Sequence, residues 1–161
     1  MKIVDYLTRN KQMEDVKVKK TNEFSFALSY NKKLIKPILD SVEETKKNLK
    51  YTNKYVEFNA KKQELAEKHA ARDEQGNVQK NEVGIFIRNI EEFNKELAEL
   101  TTEYKDAVDE IAEFDSFLNK ETETEVKFMK VSYKEMPAPD EDDIIEKLSW
   151  MVKEFDNTET K

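Results

Sequence analysis

Seven carboxylate side chains in the second half of the chain recur at alternating steps of four and three residues. On an α-helix this spacing places them along one side. Such a ridge has the charge to dock on a basic surface of another protein, because complementary potentials steer association. The alternative is a solvated helix face that keeps the chain in solution. The members of this acidic ridge are Glu92, Glu96, Glu99, Glu103, Asp106, Glu110 and Glu113.

The residue types that most catalytic and metal sites need are scarce. The chain has no cysteine and one histidine, His69, which excludes thiol nucleophiles, zinc–thiolate sites and centres with several histidines. A carboxylate-bridged di-iron bundle needs Glu-x-x-His pairs, and the residue three before His69 is Ala66. Two glycines leave no phosphate loop or dinucleotide fingerprint. The sequence therefore predicts a non-enzymatic protein without a metal or cofactor.

Length and charge bound the class of protein. The 161 residues carry a net charge of −7, and the length predicts a single domain, 1–161. Residues 1–68 hold 16 basic and 10 acidic side chains, whereas residues 91–125 hold 13 acidic and three basic ones. The net acidity argues against direct nucleic-acid binding.

No segment has the roughly 18 consecutive apolar residues of a membrane span, and residues 1–10 lack the apolar core of a secretory signal. These features predict a cytoplasmic protein.

The elements that carry the ridge are predicted from two apolar seams. The downstream seam takes the same alternating steps over more than four heptads, which is typical of a helix packed along a partner helix. It predicts an uninterrupted helix over about 84–120, about 50 Å long. The seam positions are Phe86, Ile90, Phe93, Leu97, Leu100, Tyr104, Ala107, Ile111, Phe114 and Leu118.

The upstream seam predicts a second long helix, over about 22–71. Asn22 is its candidate N-cap, and Pro37 should kink or break it near Lys33. Three of its neighbours, Tyr55, Phe58 and Leu65, widen the apolar face. The seam contains several polar layers and consists of Ile35, Ile38, Val42, Thr45, Leu49, Thr52, Val56, Asn59, Gln63, Ala66 and Ala70.

A polar turn at 72–83 lies between the seams and favours a long antiparallel helical hairpin, similar to a coiled coil. The alternative is a homo-oligomer in which each seam meets another chain. Lys62 is positioned to pair with the acidic ridge. Four other lysines are expected on the outer face of the first helix: Lys47, Lys54, Lys61 and Lys68.

The ends of the chain predict smaller elements. Residues 3–14 favour a short helix, and the alternating runs 16–19 and 125–133 predict strands that pair into a small β-ribbon. Residues 140–155 predict a C-terminal helix that begins at Asp140. Within it, Trp150 is expected to pack on the hairpin base, and the alternative is an exposed anchor for a partner.

Four stretches of the sequence, in the same order over residues 22–135, resemble a family of small uncharacterised proteins. Tailed phages and prophages of Gram-positive bacteria encode this family. The similar stretches are 26–34, 65–77, 90–97 and 125–133. The resemblance implies a phage-encoded accessory protein in the host cytoplasm, or alternatively in the virion, and it supplies no catalytic residues.

The sequence as a whole predicts a mainly α protein that acts by binding another protein of the host or the phage, without membrane attachment. The concrete hypothesis is an inhibitor of a host protein, such as a defence protein, that works through the acidic helix face. The alternative hypothesis is a virion or tail-assembly component or chaperone.

Overall fold

A computed structural model describes residues 1–16, 21–123, 125–136 and 144–153. The described residues form six α-helices and two short 3₁₀ turns, at Tyr133–Glu135 and Ser149–Met151, so the prediction of a mainly α protein is confirmed. No helix among them combines the length and the apolar content that crossing a membrane requires. The helices are α1 (Ile3–Glu14), α2 (Asn22–Lys47), α3 (Thr52–Lys68), α4 (Ile90–Glu103), α5 (Lys105–Leu118) and α6 (Ile144–Lys147).

The chain divides into two compact units. The first unit comprises Met1–Lys47 and Ser116–Lys161, and the second unit comprises Asn48–Asp115. The acidic ridge lies entirely within the second unit. The single domain expected over 1–161 stays a prediction.

The first unit has an apolar core between α1, α2 and the C-terminal segments. Asn31 of α2 is fully buried in this core, and both polar atoms of its side chain have a hydrogen-bond partner. Its Nδ2 donates to the Met129 carbonyl at 2.9 Å, and its Oδ1 accepts from the Met129 N–H at 2.7 Å. The core consists of Tyr6, Met13, Val16, Phe24, Ala27, Leu28, Ile35, Val131, Met136, Ile144, Leu148, Met151 and Val152.

The strand predicted at 125–133 is not formed. These residues contain one isolated bridge, between Val131 and Val152, and end in the 3₁₀ turn at Tyr133. The reason is that the Asn31 side chain takes the place of a neighbouring strand on Met129. Of the expected partner strand, Val16 is buried and 17–19 lie outside the described residues.

The C-terminal helix is shorter than the predicted 140–155. Helix α6 covers Ile144–Lys147, and a 3₁₀ turn follows at Ser149–Met151. The helix cannot continue because the backbone around Val152 pairs with Val131: the Val131 N–H donates to the Met151 carbonyl at 2.9 Å. The expected cap at Asp140 and the last residues of the predicted helix, 154–155, lie outside the described residues.

The upstream helix breaks at 48–51 and not near Lys33. Helix α2 runs through Pro37, whose exposed position lets water bind the carbonyl that the proline leaves free. The break follows Asn48, a residue type that readily ends helices. The expected helical stretch over 22–71 therefore consists of α2 and α3, and the break expected near Lys33 lies instead at 48–51.

The downstream helix also differs from the predicted 84–120. It begins at Ile90, with Asn89 as N-cap, because residues 84–88 are extended and form bridges with earlier segments. It breaks at Tyr104, just after two threonines whose hydroxyls donate to carbonyls four residues back, Thr101 at 2.7 Å and Thr102 at 2.9 Å. Such bonds bend helices.

The second unit buries few apolar side chains, and its contact face differs from the predicted seam. On α3 the buried residue is Phe58, which had been expected only to widen the face, whereas Val56 is 63% exposed. Phe86 and Ile90 of the downstream seam are also mostly exposed. The face of α3 is therefore rotated toward Phe58, whose ring lies 5.9 Å from the Tyr104 ring in a tilted arrangement.

Candidate functional site

The acidic ridge divides into two rows by what its members contact. Glu96, Glu103 and Glu110, seven residues apart, form the inner row, and each bonds to residues at or before α3. The outer row lies between them with the same spacing of two helical turns, and it consists of Glu92, Glu99, Asp106 and Glu113. The contacts of the inner row decide how much of the ridge is free to bind a partner.

Glu110 receives the backbone at the start of α3. Its two carboxylate oxygens accept from the N–H groups of Lys50 and Tyr51, each at 2.8 Å. A carboxylate at this end of a helix also interacts favourably with the helix dipole. Glu110 therefore stabilises the start of α3, for which Tyr51 supplies no side-chain cap.

The middle contact centres on Tyr104, at the break between α4 and α5. Its hydroxyl donates to Glu57 Oε1 at 2.6 Å, which lowers the pKa of Glu57 and raises the pKa of Tyr104. Lys61 Nζ lies 4.9 Å from the centre of the Tyr104 ring, 3.4 Å from Glu57 and 3.6 Å from Glu103. This network holds α3 beside the end of α4.

The third contact joins Glu96 to the end of α3. Lys68 Nζ donates to both Glu96 oxygens, at 2.7 and 2.8 Å, and this bond lowers the pKa of Glu96. The buried His69 places Nε2 3.2 Å from Glu96 Oε1, and its ring meets Phe93 edge-on at 6.1 Å. The single histidine thus orients a structural carboxylate.

These contacts correct the expectation about the lysines. Lys61 and Lys68, expected on the outer face, are the two that neutralise the inner row. Lys62, expected to pair with the ridge, forms no ion pair within the described part of the chain. The cause is the rotation of the contact face of α3 toward Phe58, since it brings positions 61 and 68 to the flank beside α4.

The outer row forms no ion pair with α3 among the described residues. Glu92 accepts from Asn89 Nδ2 at 2.9 Å, in the capping arrangement at the start of α4. Glu99, Asp106 and Glu113 are exposed, and among the described residues none of them has a hydrogen bond or an ion pair of its side chain. The outer row is the part of the ridge that can receive external cations.

A shallow groove of about 680 Å³ lies between α3 and α4, beside both rows. Leu65 and Leu100 are its apolar lining residues, and lysines as well as glutamates line the rest. The mixed lining suits a polar peptide or side chain better than an apolar ligand. The charged lining residues are Lys61, Glu64, Lys68, Glu92, Lys95, Glu96, Glu99 and Glu103.

Trp150, the other candidate for partner binding, packs within the first unit. Its Nε1 donates to Gln12 Oε1 at 3.0 Å, and its ring meets Phe128 edge-on at 4.9 Å. The Arg9 guanidinium lies 4.7 Å from the Trp150 ring and 4.8 Å from the Phe128 ring. These contacts favour the expected packing over an exposed anchor, although the partner of the ring is not the hairpin base that was expected.

Sequence reasoning missed Tyr104 and Glu57 as polar partners, and also the arginines of the turn, Arg72 and Arg88. Tyr104 occupies a seam position, and a tyrosine there signals a hydroxyl that needs a partner. The arginines are spaced 16 residues apart, so only the folded turn brings them to one pocket. Within the described ranges, no group of three His, Cys, Asp or Glu side chains is arranged to hold a metal ion.

No family model, curated protein or solved structure matches this chain.

Proposed function

We propose that this chain acts by binding another protein through the outer row of the acidic ridge, without catalysis. The observation that carries the proposal is that the two rows of carboxylates along α4 and α5 differ in their contacts. The inner row is used within the second unit, whereas Glu99, Asp106 and Glu113 are exposed and have no side-chain hydrogen bond or ion pair among the described residues. These three exposed carboxylates are therefore available to bind another protein.

The electrostatics of the segment favour a basic partner. Between Ile90 and Leu118 the chain has ten acidic and only two basic side chains. The outer row spans 22 residues, from Glu92 to Glu113, or about 30 Å of helix, with a carboxylate about every 10 Å. A partner that presents lysines or arginines along a groove of that length would match it. Such a row speeds association, and the effect falls as salt increases.

The resemblance to small proteins of tailed phages and prophages favours a bacterial host protein as the partner. In that case the chain inhibits the host protein, for example a defence protein, because it covers a basic surface that the host protein needs. The host cytoplasm is the place where such an inhibitor acts. The long antiparallel hairpin and the pairing of seams between copies stay predictions.

A second candidate function, a virion or tail-assembly component, draws on a different observation. The turn of the second unit exposes Val83, which is 94% accessible, together with Phe86 and Ile90. Exposed apolar side chains are typical of surfaces that are covered in a permanent assembly. Mass spectrometry of purified virions separates the two candidates, since a structural component is present there and an early inhibitor is absent.

The main test compares two charge reversals of equal size. Glu99→Lys with Asp106→Lys reverses the centre of the outer row, and Glu43→Lys with Glu44→Lys reverses two exposed carboxylates of α2. Each tagged variant captures proteins from host lysate at about 0.05 M and about 0.5 M salt, and bound proteins are quantified. We expect a stoichiometric partner that the control retains, that the outer-row variant loses, and that high salt releases.

The proposal is contradicted if every captured protein binds the two variants equally. Circular dichroism of both variants checks that they are folded to the same extent. Loss of the partner from both variants would instead mean that net charge alone, and not the outer row, determines binding.

A further inference from the structure

A pocket of about 430 Å³ lies in the second unit, where the end of α3 meets the turn that leads to α4. Its lining differs in charge from the rest of this acidic chain. Three cationic side chains line it, from Lys68, Arg72 and Arg88, and no carboxylate side chain lies among its lining residues. The remaining lining residues are His69, Ala70, Ala71 and Asn89.

The cations of the pocket are not equally available. Lys68 is neutralised by Glu96, so it adds little free charge. Arg72 uses Nη1 to donate to the Gly76 carbonyl at 2.9 Å, and this bond leaves most of its five donors free. Arg88 has no side-chain hydrogen bond or ion pair within the described ranges. The two arginines therefore supply the unspent positive charge.

The backbone around the pocket is held by a closed ring of three hydrogen bonds. The Ala71 N–H donates to the Phe86 carbonyl at 2.7 Å, the Phe86 N–H to the Gln79 carbonyl at 3.0 Å, and the Gln79 N–H to the Ala71 carbonyl at 2.8 Å. The Arg88 N–H also donates to the His69 carbonyl at 2.8 Å. Because the backbone is fixed, a ligand orders little more than the arginine side chains when it binds.

The start of α4 lies beside the two arginines, since Asn89, the N-cap of this 14-residue helix, lines the pocket. Glu91 and Glu92 in the first turn offset part of the helix dipole there, and Glu92 accepts from Asn89 Nδ2, so the two arginines supply most of the positive potential. Guanidinium groups bind phosphoryl and similar oxyanions through paired hydrogen bonds, which are stronger than those between neutral groups. Arg72, Arg88 and the start of α4 thus converge on one kind of ligand.

We propose that this pocket binds a phosphoryl group, held by Arg72 and Arg88 next to the N-terminus of α4. Two sources offer this chemistry: a free phosphate compound and a phosphorylated side chain of a protein. The site is separate from the outer row of the acidic ridge, so it does not depend on the function proposed above.

The experiment titrates the full chain at constant ionic strength with pyrophosphate, and separately with a phosphoserine peptide and its unphosphorylated form. Calorimetry measures the affinity, and amide chemical shifts of residues 68–72 and 88–89 locate the binding. We expect saturable binding of at least one phosphorylated probe. Arg72→Gln with Arg88→Gln should weaken it about tenfold or more, since each variant removes charge-assisted hydrogen bonds. The probe that binds more tightly distinguishes the two sources.

The matched control, Lys50→Gln with Lys62→Gln, removes the same charge from exposed positions of the same unit. It should weaken binding less than twofold. Arg72→Lys with Arg88→Lys keeps the charge without the planar fork and should give an intermediate affinity, which keeps the test valid if the glutamine variant does not fold. Equal weakening by the control, or no saturable binding of any phosphorylated probe to the original chain, would overturn the proposal.

Discussion

The two units are stabilised by different means. They contain similar numbers of described residues, yet 14 buried apolar residues lie in the first unit and four in the second. The first unit has a continuous apolar core around α1 and α2. The second unit relies on carboxylates of α4 and α5 that bond to α3 and the residues before it.

This difference explains the arrangement of charge on the second unit. A hydrogen bond contributes about 1 kcal/mol to stability, whereas a fully buried large apolar side chain contributes about 2–3 kcal/mol. A unit with few buried apolar side chains therefore needs several polar contacts in register. The inner row repeats every seven residues. The carboxylates between its members repeat every seven residues as well, and they form the outer row. One sequence pattern thus serves both stability and the proposed binding.

The largest expected effect tests the apolar core of the first unit. Phe24→Ala empties a fully buried position and should lower the free energy of unfolding of that unit by about 3–5 kcal/mol. Phe26→Ala removes the same atoms from a side chain that is 61% exposed, and should change it by less than about 0.5 kcal/mol. Urea unfolding followed by hydrogen exchange assigns each change to its unit. Similar effects of the two variants would show that the first unit has no dominant core.

A somewhat smaller effect tests the one buried polar residue of that core. Asn31→Leu keeps the size of the side chain but leaves the N–H and the carbonyl of Met129 without their partner. Each of the two unsatisfied groups costs about 1–3 kcal/mol, and the buried leucine side chain offsets part of this cost, so we expect a net loss of about 2–3 kcal/mol in unfolding free energy. The exposed Asn53→Leu is the control for added apolar surface. Little loss for Asn31→Leu would mean that water reaches Met129.

A third variant tests the polar contacts of the second unit. Glu110→Ala removes both hydrogen bonds to the start of α3 and should cost about 1 kcal/mol, the usual value of a helix cap. Glu113→Ala, three residues later in α5, makes the same change in the outer row and should cost nothing measurable. Hydrogen exchange of the first turn of α3 reads out the difference. Equal costs would contradict the division into inner and outer rows.

The helices and the acidic ridge could be predicted from the sequence because they depend on local periodicity. The breaks at 48–51 and at Tyr104 were not predicted: Asn48, Thr101 and Thr102 favour them locally, but the contacts that accompany them come from Glu110 and Glu57, which are distant in the chain. The division of the ridge was also out of reach. Alternating steps of four and three show that the carboxylates lie on one side of the helix. Which of these carboxylates contact α3 depends on the rotation of α3.

The prediction of a strand at 125–133 was wrong for a related reason. The residues do alternate, and a period of two indicates an extended backbone with two unlike faces. It does not indicate which part of the chain forms hydrogen bonds with that backbone. Here the partner is the side chain of Asn31 and not a second strand. The pocket with Arg72 and Arg88 is likewise created by the folded turn.

The smallest expected effect concerns pH, and it separates the units by sign. Hydrogen bonds lower the pKa of Glu57 and Glu96 in the second unit, so these groups stabilise it above the ordinary glutamate pKa of about 4.5 and less as the pH falls below it. In the first unit a hydrogen bond with Glu135 raises the pKa of Glu23, so its contribution is present below that ordinary value and is lost as the pH rises through the raised one.

Acidification from pH 7 to pH 4 should therefore lower the amide protection of α3 and α4 while that of the first turn of α2 rises slightly, after correction for the intrinsic exchange rate. Glu57→Gln with Glu96→Gln should remove most of the change in α3 and α4 without altering α2. A parallel loss of protection in both units would contradict this assignment, because it would mean that the acid response comes from the net charge of the chain and not from these contacts.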